Sequence, residues 1–224
     1  VIGAIILAAG ESRRMGTQKL LLPFGGTTVV GAVVRTAQAS RAGRTLVVLG
    51  SDHEAIRGEL GLLGGNAMSK SRDRPGIPTQ PASRGVDFVV NENYPLGMLT
   101  SIQAGLRALP ADAQAAIVLL GDQPFLASRV IDAVIAAYEA GRNGIVIPTF
   151  QGRRGHPILV DLKYRDEILA IDPTEGLRRL MLAHPDDILE VDAGDGNILR
   201  DLDTPEDYQE GGIGLNMRRN PKRT

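Results

Sequence analysis

The sequence predicts a three-layer α/β/α sandwich built on a mostly parallel sheet, and two observations carry that expectation. Apolar runs recur along the chain with helix-like stretches between them, the succession expected of βαβ units. The first run, residues 1–7, is continuously apolar rather than alternating, which is how a strand covered by helices on both faces reads. The strand signals fall at residues 1–7, 44–49, 86–90, 115–120, 144–148 and 188–191. Helical spacing of apolar residues marks 29–38, 52–63, 100–108 and 127–140. In the last of these Val130, Ile131, Val134, Ile135 and Tyr138 share one face, predicted to lie on the sheet.

A chain of 224 residues, 43% of them hydrophobic, suits one domain with a substantial core, expected over residues 1–208. Residues 64–85 are polar and proline-rich and read as a mobile excursion between a helix and a strand. Their Lys70, Arg72, Arg74 and Arg84 are either a solvated face or recruit an anionic substrate. Residues 209–224 include a tail without apolar periodicity, expected to be disordered and given no role. The formal net charge of −1 gives no basic field, so nucleic acid is not an expected partner and any polyanion must be met by a local cluster. With no cysteine there is no disulfide, thiolate nucleophile or thiolate metal site, which fits a reducing compartment. No apolar run approaches the length of a bilayer span and no basic leader precedes the first strand, so the expected location is the cytoplasm, with no membrane partner.

Ligands of such sheets collect beyond the carboxyl ends of the strands, and there the first strand enters Ala8-Ala9-Gly10-Glu11-Ser12-Arg13-Arg14-Met15-Gly16-Thr17-Gln18-Lys19. Gly10 and Gly16 let backbone N–H groups approach phosphate oxygens, while Arg13, Arg14 and Lys19 supply positive charge. The loop therefore suits a nucleoside triphosphate. The P-loop spacing is not met, because Thr17 and Gln18 separate Gly16 from Lys19, and G-x-G-x-x-G is absent after the first strand. The segment resembles instead the signature L-A-A-G-x-S-x-R-M-G-x-x-K of the nucleotidyltransferases related to the molybdenum cofactor cytidylyl- and guanylyltransferases. Leu7, Ala8, Ala9, Gly10, Ser12, Arg14, Met15, Gly16 and Lys19 match it.

Asp122 leaves a fully apolar strand in the turn Gly121-Asp122-Gln123-Pro124, a position suited to holding Mg²⁺ or Mn²⁺ beside a triphosphate. Its other reading is a cap for the helix that begins near residue 127. The same turn resembles the family's metal-binding aspartate. A second acidic group, Asp201-Leu202-Asp203-Thr204-Pro205-Glu206-Asp207, has the form of a helix start, with Asp203 or Thr204 as N-cap. The resemblance adds a second metal contact here, carried to Asp203 ahead of Asp201. Asn91, Gly97, Thr100 and Ser101 lie where a strand passes into a helix, Gly97 offering close backbone approach and the hydroxyls standing at a helix N-terminus. Family members contact the nucleoside at this point, but Pro95-Leu96-Gly97-Met98 departs from the Gly-Met-Gly-Ser-like form of cytidylyltransferase relatives, which leaves the base open.

Arg153, Arg154 and His156 follow the fifth strand and are candidates for binding the acceptor phosphate. Arg154-Gly155-His156-Pro157 resembles the cytidylyl branch. His156 is read as either orienting substrate or structural, because a phosphate oxygen attacking an α-phosphorus is already ionised at neutral pH and needs no general base. His53 and His184 show no ligand spacing.

The resemblance thus implies a Rossmann-like nucleotidyltransferase fold and a Mg²⁺-dependent transfer of a nucleotidyl group, CMP from CTP favoured, to a molybdopterin-type acceptor with release of pyrophosphate. Lys19 and Arg14 would stabilise the pyrophosphate and Asp122 would hold the metal. A sugar-phosphate acceptor is the nearest alternative. A non-catalytic factor that delivers molybdopterin to a client molybdoenzyme is another, against which the presence of both Lys19 and Asp122 argues.

Overall fold

The computed structural model describes residues 1–62 and 85–210. The expected excursion, apart from Gly85, and the expected tail beyond Glu210 lie outside the described residues. In chain order the elements are β1 (Ile2–Ala8), the short β2 (Pro23–Phe24) and β3 (Thr27–Thr28), α1 (Val29–Gln38), β4 (Arg44–Leu49), α2 (His53–Leu62), β5 (Val86–Val90) and α3 (Met98–Ala108). They continue with β6 (Ala115–Leu120), α4 (Ser128–Ala140), β7 (Ile145–Phe150), β8 (Arg153–Arg154), β9 (Ile158–Asp161), α5 (Arg165–Ala170), α6 (Arg178–Ala183), β10 (Ile188–Asp192) and α7 (Pro205–Glu210). The six expected strands and four expected helices are present, four with the expected ends and the rest with ends displaced by at most two residues.

The main sheet runs β10-β7-β9-β6-β1-β4-β5, with β8 attached to β7, and β1 lies between its parallel partners β4 and β6. Alternate residues of β1 face opposite helical layers, as the two-residue period of a strand requires. Ala4, Ile6 and Ala8 join Val47, Leu49, Ile117 and Leu119 beneath the apolar faces of α1 and α4. Ile5 joins Val48, Ala116 and Val118 beneath α3 and α5, through Leu99, Ile102, Leu106 and Ile168. Each face of the sheet thus buries its own apolar cluster, which is why β1 has no polar alternation to show.

The short β2, β3 and β8 were not expected, and neither was β9, which alters the order of the main sheet. β9 inserts antiparallel between β6 and β7, so those two strands are not adjacent. After β7 the chain turns back through β8, antiparallel to β7, and Gly155 N donates to Pro148 O at 2.9 Å before Ile158-Leu159-Val160 enter the sheet. Two contacts then place the site at the carboxyl ends of β1 and β6. Gly121 N donates to Leu7 O at 2.9 Å, and a Cβ at Gly121 would come within 2.7 Å of the same oxygen. Glycine is required there for the two strand ends to approach, and that approach sets Asp122 beside the loop after β1. Leu202 N donates to Asp122 O at 2.9 Å, which brings the segment preceding α7 to the same place.

Candidate active site

The loop after β1 narrows into two single 3₁₀ turns, Arg13–Met15 and Lys19–Leu21, separated by Gly16 at φ 66°. The second turn carries Lys19 back over the strand ends. Its Nζ donates to Asp122 Oδ2 at 2.6 Å and to Asp203 Oδ1 at 2.8 Å. The guanidinium of Arg14 donates to the other oxygen of Asp203 at 2.9 Å. Burial alone would lower the Lys19 pKa, but the carboxylates of Asp122 and Asp203 outweigh it and hold the ammonium above its ordinary value. The hydrogen bond from Lys19 in turn holds Asp203 below the usual carboxylate range, assisted by the Arg14 charge. Asp201 behaves oppositely. Burial pushes its carboxyl up, the Gln123 amide 2.6 Å away draws it back down, and the charges of Asp122 and Asp203 push it further up.

Helix capping does not use these carboxylates. The N-cap of α4 is Ala127, with no side-chain cap, and at α7 the reciprocal bonds run between Thr204 and Asp207. Asp122 and Asp203 are left to face Lys19.

A cavity of about 590 Å³ opens beside this group. One wall is Leu7, Ala9, Gly10, Glu11, Ser12, Arg14 and Lys19, the floor carries Asp122, Asp201 and Asp203, and the opposite wall is Tyr94, Pro95, Gly97, Met98 and Ser101. A polyanion therefore meets cations at one end and an apolar surface at the other, where Met98 is exposed. Ala8 is fully buried in the core below the loop, and Arg13 opens the first 3₁₀ turn. Asn91 stands behind the wall: its amide donates to Thr100 Oγ1 at 2.8 Å and Ser101 Oγ at 3.0 Å, and its oxygen accepts from Asn93 N. Its amide and its oxygen thus align the start of α3.

The three candidates after β7 are separated by the structure. Arg153 and Arg154 are exposed on β8 and do not line the cavity, and Arg154 Nε donates to Glu190 Oε1 on β10 at 2.7 Å. His156 turns inward, its backbone N–H donating to Ile198 O at 3.1 Å. Burial pushes its imidazole pKa down to about 4, against the pull of the nearby Asp122 charge. The ring is neutral at neutral pH. A histidine whose folded pKa lies below the ordinary 6.5 takes its proton first in the unfolded state, so stability is complete above pH 6.5 and declines toward pH 4. His156→Gln is expected to reduce the stability lost between pH 7 and pH 4.5 by on the order of 2 kcal/mol, measured by urea unfolding across that range. Equal losses in both proteins would show that the ring is not held neutral.

Several contributors had no expectation attached to them. Tyr94 and Met98 line the cavity, Gln123 buttresses Asp201, and the Gln18 amide binds within the loop after β1. Gln123 and Gln18 each sit beside a charged candidate in its motif, the one signal that marks them.

Two carboxylate oxygens converging on one ammonium suit a divalent cation of the Mg²⁺ type, which takes one or two carboxylates and completes its shell with phosphate and water oxygens. Among the described residues no cluster of three or more histidine, cysteine or acidic side chains forms a closed protein cage.

A glycine-containing basic loop and a pair of carboxylates meet at the carboxyl end of a mostly parallel sheet, where ligands of Rossmann-like folds bind. The chain belongs to the family of the MobA-like NTP transferase domain, which matches residues 4–188. It is similar to the purine catabolism protein PucB of Bacillus subtilis, 28% identical over 91% of this chain and 92% of that protein. It is also similar to the molybdenum cofactor cytidylyltransferase of Escherichia coli, 26% identical over 92% and 93%. Among solved structures, Rv0371C of Mycobacterium tuberculosis in complex with manganese superposes with a TM-score of 0.69 at 25% identity, covering 93% of this chain and 96% of that one.

Proposed function

We propose that residues 1–208 form one catalytic domain that transfers CMP from CTP to a phosphorylated, molybdopterin-type acceptor and releases pyrophosphate. The observation that carries the chemistry is the Lys19 ammonium held at 2.6 and 2.8 Å from two carboxylates at the charged end of the cavity. The choice of acceptor and base is supported by the similarity to the molybdenum cofactor cytidylyltransferase and by the Arg154-Gly155-His156-Pro157 segment. Asp122 and Asp203 would hold a divalent cation, a role favoured by the manganese bound in the solved relative. When bound, such a cation offsets the charge that gathers on the α-phosphate.

Everything else is assigned to the chain. The loop from Gly10 to Lys19 seats the triphosphate with its β and γ groups toward Lys19 and Arg14, which stabilise the departing pyrophosphate through charge-assisted hydrogen bonds. Gly97, Met98 and Ser101 support the nucleoside. An ionised acceptor oxygen forms the new bond to the α-phosphorus as the bond to the bridging oxygen of pyrophosphate breaks in line with it. His156, neutral, orients groups and carries no charge to the acceptor. Arg153, exposed on β8 and outside the cavity lining, is assigned to the acceptor phosphate on its charge alone. The reading places the protein in the cytoplasm with a client molybdoenzyme downstream. It is supported by a cysteine-free chain in which no helix, among the described residues, is long and apolar enough to cross a membrane.

The test is pyrophosphate release by the purified protein with Mg²⁺, presenting CTP, GTP, ATP and UTP in turn with molybdenum-loaded molybdopterin and with sugar 1-phosphates. Release that needs both CTP and molybdopterin is the expected result. Release with a sugar 1-phosphate instead would replace the acceptor, and triphosphate binding without release from any pair would favour a delivery factor.

A further inference from the structure

The Gln18 amide lies at the centre of the phosphate loop. Its Oε1 accepts from Ser12 Oγ at 2.7 Å and from Leu20 N at 3.4 Å. Its Nε2 donates to Gly10 O at 3.3 Å and to Asp52 Oδ2, at the corner between β4 and α2, at 2.9 Å. One primary amide has two donors and two acceptor positions, and here all four are engaged. Ser12 Oγ passes the connection on by accepting from Lys19 N at 3.1 Å.

Both residues joined through this amide are held in the left-handed region, Ser12 at φ 52° and Asp52 at φ 53°. Non-glycine residues stay there only where their surroundings over-determine the conformation, and such residues gather at ligand clamps. The Asp52 carboxylate oxygen that receives Gln18 also accepts from Ser51 Oγ at 3.1 Å, which fixes the anchor. Gln18 thus joins the start of the loop at Gly10, its bend at Ser12 and its end at Leu20 to a rigid corner of the sheet. Glutamate of the same length could still accept from Ser12 and Leu20, yet it has no donor for Gly10 O and would set a second negative charge against Asp52.

We infer that Gln18 is a positioning residue for nucleoside triphosphate, holding the Gly10–Lys19 loop in its binding shape by anchoring it to Asp52. The inference rests on the triphosphate reading above, though not on the acceptor. It assigns Gln18 no contact with the reacting atoms, so substitution should fall on affinity and leave the chemical step nearly intact.

The experiment compares wild type, Gln18→Glu, and the double variant Gln18→Glu/Asp52→Asn, by calorimetric titration with Mg²⁺–CTP, by steady-state kinetics and by thermal melting. Gln18→Glu is expected to weaken triphosphate binding and raise KM about tenfold or more while kcat changes less than about threefold. The double variant should recover binding to within about threefold of wild type, because the amide introduced at position 52 can donate across the same gap to the carboxylate introduced at position 18. Unchanged affinity in Gln18→Glu overturns the inference, as does weakened binding that comes with a large fall in melting temperature and no recovery in the double variant. If wild type binds triphosphate but serves no acceptor, the transfer reading fails and the inference is judged on the affinities alone. If wild type binds no triphosphate, both fall together.

Discussion

Asp122→Ala is expected to lower kcat by roughly 10³-fold or more while leaving the protein folded, since single preorganised electrostatic contributors to a charged transition state are worth about 10²–10³-fold and this one also helps seat the cation. The fold should survive because the side chain takes no part in the core. It projects from the turn after β6 with 20% of its surface exposed, while the bond that ties the C-terminal segment down, from Leu202 N, is to the Asp122 backbone oxygen. Lys19 keeps Asp203 as a partner at 2.8 Å, so the substitution does not leave its ammonium buried without a counter-charge, the situation that makes a broken buried pair costly. Asp122→Asn keeps the shape and one oxygen, and should fall between the alanine variant and wild type. The measurement is acceptor-dependent pyrophosphate release alongside thermal melting. A folded alanine variant within tenfold of wild type would remove Asp122 from the mechanism.

Asp122 was legible because of where chemistry sits in a parallel sheet. A fully apolar strand that ends in Gly-Asp announces a carboxylate at the carboxyl edge, and the Gly121 contact with Leu7 O shows why glycine precedes it. The continuous apolar run of β1 was equally legible, because two helical layers leave no face for polar residues. What stayed hidden depends on partners distant in the chain. β9 is four residues long and follows a proline, too short a run for its two-residue period to stand out, and its antiparallel direction follows from the turn back through β8. α5 and α6 each span six residues, fewer than two turns, so an amphipathic stripe has no room to repeat. The partner of Arg154 in the free protein, Glu190, lies 36 residues on, and nothing in the local motif announces it. The Asn91 amide is engaged by Thr100 and Ser101, nine and ten residues on, a pairing that its motif does not reveal. A sequence motif names the residue types a site needs, but which of them face the ligand is decided by tertiary pairing.

Lys19→Met is expected to lower turnover by roughly 10²–10⁴-fold and, at the same time, to tighten the binding of Mn²⁺ added without nucleotide, by about tenfold. The two effects have one cause. The methionine keeps most of the apolar stem of a side chain that is 14% exposed, so packing is conserved and the change is confined to the charge. In wild type the ammonium sits against one oxygen of Asp122 and one of Asp203, and a cation seeking those oxygens must compete with it. Without the ammonium, the two carboxylates face each other with Arg14, on the far oxygen of Asp203, as the remaining cation paired with them among the described residues, and their attraction for any cation rises. On the proposed mechanism turnover falls nonetheless, because Lys19 is the group assigned to meet the charge that leaves with pyrophosphate. Wild type is therefore expected to bind metal and triphosphate cooperatively, since phosphate oxygens offer Lys19 an alternative partner and release Asp122 and Asp203 to the cation. The measurement is Mn²⁺ titration followed by electron paramagnetic resonance, with and without CTP, in wild type and Lys19→Met. Unchanged Mn²⁺ affinity in the variant would show that the ammonium and the cation do not share these oxygens, whereas near-normal turnover would remove Lys19 from the leaving-group role.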